Sequence, residues 1–183
     1  MPLPLLTYHA VEMTSRRPGV FHPEQRVYLI RPDFFEAQLR YLALHPFRSL
    51  HVQDLVSIAE SRSPLPACSV CTTFDDGYSS DYWVVFPLFR KYHLTATFFV
   101  VTDHVGKPGY VTWVQLTEMA FHGMSIQSHS HTHPFLSQCT LSEVKQELVR
   151  SKLMIKDHLG SSVSAFAAPR GDWKDRFRSL AKE

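Results

Sequence analysis

Five short apolar runs alternate with segments of helical spacing along this chain, and this alternation is the feature that most limits its fold. The runs are rich in β-branched and aromatic residues, which is typical of buried strands. We predict strands at 3–8, 67–74, 96–101, 124–127 and 164–168. Helices are predicted over 33–45, 52–60, 81–93, 112–121 and 141–159. Strands that alternate with helices form a parallel sheet, so we expect an α/β fold.

Local signals define several helix ends. Pro87 either kinks the helix predicted over 81–93 or sets its first turn. Thr140 and Glu143 form a capping box before the longest helix, and Gly160 ends that helix. The last residues, 177–183, have the look of one more helix. The length of 183 residues argues for a single domain over 1–183.

Composition excludes several classes of function. The formal net charge is only +2 and the charges form no run of one sign, which argues against nucleic acid or an anionic membrane as a partner. No stretch is apolar enough to span a bilayer, and the first residues lack the basic start of a secretory signal. We therefore expect a cytoplasmic protein, or an envelope or secreted one whose export signal has been removed. The odd number of cysteines, three, and the length of the chain argue against a disulfide framework. Cys68 and Cys71 have the spacing of a metal or redox pair, but we expect them on a buried strand.

Two motifs carry the chemistry. The segment Thr73-Phe74-Asp75-Asp76-Gly77 follows one predicted strand, and His129-Ser130-His131-Thr132-His133 follows another. One carboxylate and two neutral imidazoles suffice to hold a zinc-like ion with positions open for water and substrate. A turn at Gly77 would let one aspartate bind the ion while the other faces the reacting water. His131 is the alternative second histidine of the set.

These motifs resemble those of the NodB-homology polysaccharide deacetylases, carbohydrate esterase family 4. The family's T-F-D-D-G is present unchanged at 73–77, its H-[S/T]-x-x-H is met at 129–133, and its third motif is approximated by 167–171. Tyr8-His9 and the segment 35–42 are similar to the N-terminal part of the poly-N-acetylglucosamine deacetylase branch. The resemblance covers almost the whole chain and implies a distorted (β/α) barrel. In such a barrel the reacting groups lie at the C-terminal ends of strands, where all of these motifs fall.

The resemblance also implies a role for each residue. Asp76, His129 and His133 would bind one divalent metal ion, most suitably zinc, with cobalt, nickel and iron as alternatives. Asp75 would be the general base when water attacks the acetamide of an N-acetylated glycan. The backbone N–H of Arg170 would help to stabilise the oxyanion. The substrate would be contacted by Pro169, Arg170 and Gly171. His9, at the end of the first strand, either lines the site as a further substrate contact or caps that strand. Trp113 is expected to be a core residue rather than a sugar platform.

The chain departs from the family pattern in three places. Ala167 replaces an arginine that many relatives use to orient the base, and Arg170 replaces a tyrosine. The family's C-terminal Leu-x-His, whose histidine serves as general acid, has no counterpart. We therefore expect a barrel without its last strands, from either a truncated chain or a natural short form. An open barrel edge favours pairing of the chain with itself or marginal stability.

Three functions follow in order of preference. The first is a metal-dependent polysaccharide N-deacetylase. The second is a protein that binds a metal ion and a glycan with little or no turnover, because the general-acid histidine is absent. The third is a different amidase on the same scaffold, acting on a small molecule; relatives of that kind often lose the Asp-Asp pair that this chain keeps.

Overall fold

A parallel sheet forms the centre of the computed structural model, which describes residues 3–13, 23–177 and 179–180. Its strands are β1 (Leu5–Tyr8), β4 (Arg48–Leu50), β5 (Ser69–Asp76), β6 (Thr97–Val100) and β7 (Ser125–Ser128). Their order is β1-β5-β6-β7, and β4 pairs with the first residues of β5. A separate parallel pair joins β2 (Ala10–Val11) to β3 (Leu29–Ile30). The predicted α/β fold is confirmed, and the described strands form an open sheet rather than a closed barrel.

Among the described residues, four α-helices connect strands and a fifth follows β7. They are α1 (Pro32–Leu44), α2 (Val52–Ser61), α3 (Phe86–Lys91), α4 (Trp113–Phe121) and α5 (Leu141–Leu159). Short 3₁₀ turns occur at Pro23–Tyr28, Leu136–Gln138, Pro169–Gly171 and Asp175–Phe177. The predicted capping box of Thr140 and Glu143 is present, and Gly160 ends α5 in the left-handed conformation. The helix predicted over 81–93 is divided: Asp81–Val85 forms a π turn, and Pro87 lies in the first turn of α3.

The strand residues alternate between two different environments. Tyr8, Phe74 and Phe98 are paired across β1, β5 and β6, and their rings stack at centroid distances of 5.3 and 5.1 Å. They belong to the main hydrophobic core between the sheet and the helices, to which Trp113 also contributes by packing on its border. The preceding register positions carry polar residues instead: Thr7, Thr73, Thr97 and Ser125. Because neighbouring residues of a strand point to opposite sides, Asp75 lies on the polar side, one step beyond the aromatic row.

Two predicted elements are wrong or incomplete. Residues 164–168 do not form a ladder, and only Phe166 makes an isolated bridge, to Ser128. Ser128 exchanges backbone hydrogen bonds with Ala165 and Ala167, but the pairing does not continue towards Ser164. There the Gln127 Oε1 accepts hydrogen bonds from the N–H groups of Ser164 and Ala165 at 3.0 and 2.9 Å. At the C-terminus, Asp175–Phe177 forms a 3₁₀ turn where the predicted helix over 177–183 would begin. Residues 178 and 181–183 of that predicted helix lie outside the described residues.

The cysteines and the hydropathy agree with most of the sequence-based expectations. All three cysteines are free, and Cys71 is buried in β5 as predicted. Cys68 differs from the prediction, because it is exposed and lies just before β5. In the part of the chain that the structure describes, none of the helices is both long and apolar enough to cross a membrane.

Candidate metal centre

Three side chains from two strands meet at the C-terminal edge of the sheet. Asp76 is the last residue of β5, and His129 directly follows β7. The Asp76 Oδ1 atom lies 3.5 Å from His129 Nε2 and 3.3 Å from His133 Nε2. One donor atom from each of the three residues lies within 4.8 Å of the others. The structure thus brings together the three residues that the sequence predicts as ligands, and their spacing suits one small cation.

The ring of His129 is oriented by a backbone carbonyl. Its Nδ1 lies 2.9 Å from the Ala167 oxygen, which can only accept, so Nδ1 carries the proton. The lone pair of Nε2 then points towards Asp76, as metal-binding histidines require. Burial lowers the pKa of His129 to about 4, so that its imidazole is neutral near pH 7. A neutral imidazole fixed in this tautomer fits a divalent metal ion.

The two adjacent aspartates have different electrostatic environments. For Asp76, burial opposes ionisation, but the hydrogen bond with His133 and the neighbouring histidines outweigh it and lower the pKa. For Asp75, burial and then the charge of Asp76 raise the pKa to about 7. Burial and the Asp76 carboxylate also raise the pKa of the Tyr78 hydroxyl, which stays protonated. One carboxylate is therefore suited to bind a cation, and the other to exchange a proton near neutral pH.

The remaining predicted residues border this cluster. Pro169 is buried, and the Arg170 guanidinium lies 4.3 Å from the centre of the Phe135 ring. Arg170 Nη1 also donates to the His133 carbonyl at 3.3 Å, which ties the third motif to the histidine loop. His9 is close enough for Asp76 and His133 to affect its pKa, which burial lowers. Gly171 ends the 3₁₀ turn with a φ of 66°.

His131 is turned away from the cluster. Its Nδ1 atom lies 2.8 Å from the Thr102 hydroxyl, and its side chain is buried. The cluster of possible metal ligands contains Asp76, His129 and His133 but not His131. This geometry favours His133 over the alternative that the sequence left open.

Several residues here hold the left-handed backbone conformation without being glycine. They are Asp76, Ser130, His133 and Arg170, with φ between 56° and 75°. Such a conformation costs on the order of 1–3 kcal/mol at each residue and often occurs at functional sites. Gly77 follows Asp76 with a φ of 77°, and a Cβ there would lie 3.1 Å from Val100 Cγ1. The turn that separates the two aspartates therefore requires glycine.

A carboxylate on α5 holds the histidine loop, and sequence reasoning missed it. Glu147 accepts hydrogen bonds from the N–H groups of His131 and Thr132 at 2.8 and 2.7 Å, and from the Thr132 hydroxyl at 2.8 Å. Glu147 lies in the middle of a helix, and no motif connects it to the loop. Only the fold, which packs α5 against β7, reveals the contact.

Replacing Glu147 by alanine is expected to weaken metal binding about 10- to 100-fold, because the loop that positions His133 loses three hydrogen bonds. Titration of the metal-free protein with zinc, in competition with a chromophoric chelator, measures the affinity. Glu143→Ala is the matched control: it removes a carboxylate that caps the same helix through hydrogen bonds from Thr140. That variant should lose about 1 kcal/mol of stability and keep its zinc affinity. Equal affinities for the wild type and Glu147→Ala would contradict the anchoring role.

The chain is similar to known polysaccharide deacetylases in both sequence and structure. Residues 62–183, more than half of the chain, match the family model described as polysaccharide deacetylase. The structure is similar to that of the Streptococcus pyogenes deacetylase PplD in complex with acetate, with a TM-score of 0.86 and 28% identity. That similarity covers 98% of this chain and 79% of the other.

Two curated relatives are similar in sequence. A provisionally named polysaccharide deacetylase of Bacillus subtilis, YxkH, is 27% identical over 99% of this chain and 61% of its own length. The poly-beta-1,6-N-acetyl-D-glucosamine N-deacetylase of Staphylococcus epidermidis is 30% identical over 59% of this chain and 39% of its own length. The chain thus spans about three fifths or less of these curated relatives.

Proposed function

This chain belongs to the polysaccharide deacetylase family, and from that premise we propose that it is a metal-dependent hydrolase that removes N-acetyl groups from a glycan. The observation that carries the proposal is the meeting of Asp76, His129 and His133 beside Asp75, whose pKa is raised to about 7. The Staphylococcus epidermidis relative, whose name specifies poly-beta-1,6-N-acetyl-D-glucosamine, favours an N-acetylglucosamine polymer as the substrate.

The donor set fits one divalent cation. The Asp76 carboxylate and the Nε2 atoms of His129 and His133 would hold it, and zinc suits two imidazoles and one carboxylate best. Such an ion, when bound, polarises the acetamide carbonyl and makes water more acidic. The backbone N–H of Arg170 is the proposed second donor to the oxygen that becomes negative.

Asp75 would move the protons. Its carboxylate takes a proton from the attacking water, whose oxygen forms a bond to the acetamide carbon. When the C–N bond breaks, the protonated Asp75 can return that proton to the leaving nitrogen. The products are acetate and a free amine on the sugar. A group with a pKa near 7 can act in both directions at neutral pH.

The test is release of acetate from N-acetylglucosamine oligomers by the purified chain after chelation and reloading with zinc, cobalt, nickel or iron. We expect activity only after reloading, and one ion per chain by elemental analysis. His133→Ala should lose the ion, whereas His131→Ala, at the neighbouring buried position, should keep it.

Failure of the test would take two distinct forms. Retention of the ion by a folded His133→Ala variant would contradict the ligand assignment. One tightly held ion together with no acetate release from any oligomer would favour the alternative, a metal- and glycan-binding protein.

A further inference from the structure

An exposed aromatic ring lies beside the candidate metal centre. Tyr28 is 57% exposed, and its ring stacks on that of His9 with centroids 4.5 Å apart and planes inclined by only 17°. The neighbouring Val27 is 79% exposed. His9 therefore covers part of Tyr28, while more than half of the side chain remains open to solvent.

Strand pairing holds the two rings together. In the parallel pair of β2 and β3, Ala10 is opposite Leu29 and Val11 is opposite Ile30. If this register is extended by one residue before each strand, His9 lies opposite Tyr28. The N–H of Glu12 donates to the Ile30 carbonyl at 2.9 Å, which extends the pairing beyond β2. The ring of Tyr28 is thus fixed to the segment that carries His9.

His9 links this ring to the reacting groups. It is half-buried and directly follows Tyr8, which is paired with Phe74, the residue before Asp75. The charges of Asp76 and His133 also act on it. Tyr28 lies against His9, so its ring is joined to the cluster through His9. A sugar bound there would be next to the sugar whose acetamide reaches Asp75, not that sugar itself.

We propose that Tyr28 is a stacking platform for the sugar unit adjacent to the one being deacetylated, so that the site prefers oligomers to single sugars. The proposal rests on the proposed glycan substrate. A pyranose ring presents a face of C–H groups that packs on an aromatic ring, while its hydroxyls remain in water. Tyrosine suits this contact because it combines an apolar body with a polar tip.

Calorimetric binding of N-acetylglucosamine pentamers, linked β-1,6 or β-1,4, to the zinc-loaded chain tests the platform without any need for turnover. Tyr28→Ala should bind the preferred pentamer about tenfold more weakly, as expected for loss of one aromatic stack. Its affinity for acetate, which occupies only the reacting centre, should be unchanged. Tyr28→Phe should bind like the wild type, since the ring and not the hydroxyl makes the contact.

Tyr41→Ala is the matched control. Tyr41 is 55% exposed and also stacks on a histidine, His45, at 4.0 Å, but it lies on α1. That variant should bind the pentamer normally. Equal pentamer affinities of Tyr28→Ala and the wild type would overturn the proposal, as would a wild type that binds neither pentamer. If the wild type binds the pentamer through Tyr28 but releases no acetate, the platform stands and the proposed hydrolase function fails.

Discussion

Replacing Asp75 by asparagine is expected to lower kcat for deacetylation by about 10²- to 10⁴-fold, the usual contribution of a general base, without loss of the metal ion. The amide has nearly the same shape as the carboxylate but cannot accept a proton from water. The proposed ligands Asp76, His129 and His133 are unchanged, so the metal content should stay at one ion per chain. Acetate release under saturating oligomer, with metal analysis of the same sample, measures both quantities.

The pH dependence gives this prediction a second readout. Asp75 must be ionised to act as a base, so kcat/KM should fall as the pH drops below the pKa of this group. Without a cation that pKa is about 7, and a neighbouring cation favours the ionised form, so the acid limb should lie at or below pH 7.

The control for this prediction is Asp103→Asn, which removes an exposed carboxylate paired with Lys107 and should leave kcat within about twofold. An Asp75→Asn variant that keeps more than about a tenth of the wild-type kcat would contradict the role of the base.

Replacing Asp81 by asparagine is expected to stabilise the fold, increasingly so as the pH rises. Asp81 is only 1% exposed, and among the described residues neither of its carboxyl oxygens has a hydrogen-bond partner. Burial, and then the charges of Asp76 and Asp75, raise the pKa of this carboxyl well above its ordinary value. The folded chain therefore keeps a proton on Asp81 that the unfolded chain releases above about pH 4.

The sign of the effect follows from proton binding. Where the folded state binds more protons than the unfolded state, the free energy of unfolding decreases as the pH rises, by up to about 1.4 kcal/mol per pH unit for one proton. Asparagine carries no such proton, so the free energy of unfolding of the variant lacks this pH dependence. The difference in free energy of unfolding between the variant and the wild type should therefore grow in favour of the variant by up to about 2.7 kcal/mol between pH 5 and pH 7. Urea unfolding of the metal-free chain at several pH values measures it. Parallel curves for the wild type and the variant would show that Asp81 is ionised in the folded chain.

The position of the candidate site could be predicted from the sequence because its ligands follow strands. Asp76 and His129 come directly after apolar runs, and parallel strands end at one edge of a sheet. The spacing of His129 and His133 left His131 open as an alternative. The cluster formed by Asp76, His129 and His133 and the hydrogen bond between His131 and Thr102 decide between them, and both depend on residues far apart in the chain.

Other features could not be predicted because they depend on tertiary contacts or lack a hydrophobic pattern. Residues 164–168 have the composition of a strand, but the Gln127 amide oxygen accepts hydrogen bonds from the N–H groups of Ser164 and Ala165, and the backbone bridge to β7 is limited to Ser128. Strand β4 has only three residues, and two of them, Arg48 and Ser49, are polar, so the segment shows no hydrophobic pattern that would predict a strand. The anchoring of the loop by Glu147 also has no local signal, since it joins a helix to a loop through tertiary packing.

The residues in the left-handed backbone conformation around the cluster lower the stability of the fold, while their side chains serve the proposed site. Stability, and with it the abundance of the protein in a cell, is therefore in conflict with the proposed activity. At His133 a glycine would adopt the observed backbone more easily than histidine does. Selection for folding alone would therefore favour glycine there, and marginally stable proteins gain abundance from such small increments. A lineage that no longer needed the reaction would be free to accept that change. Persistence of His133 in descendants of this chain would then record continued use of the site, independently of any assay.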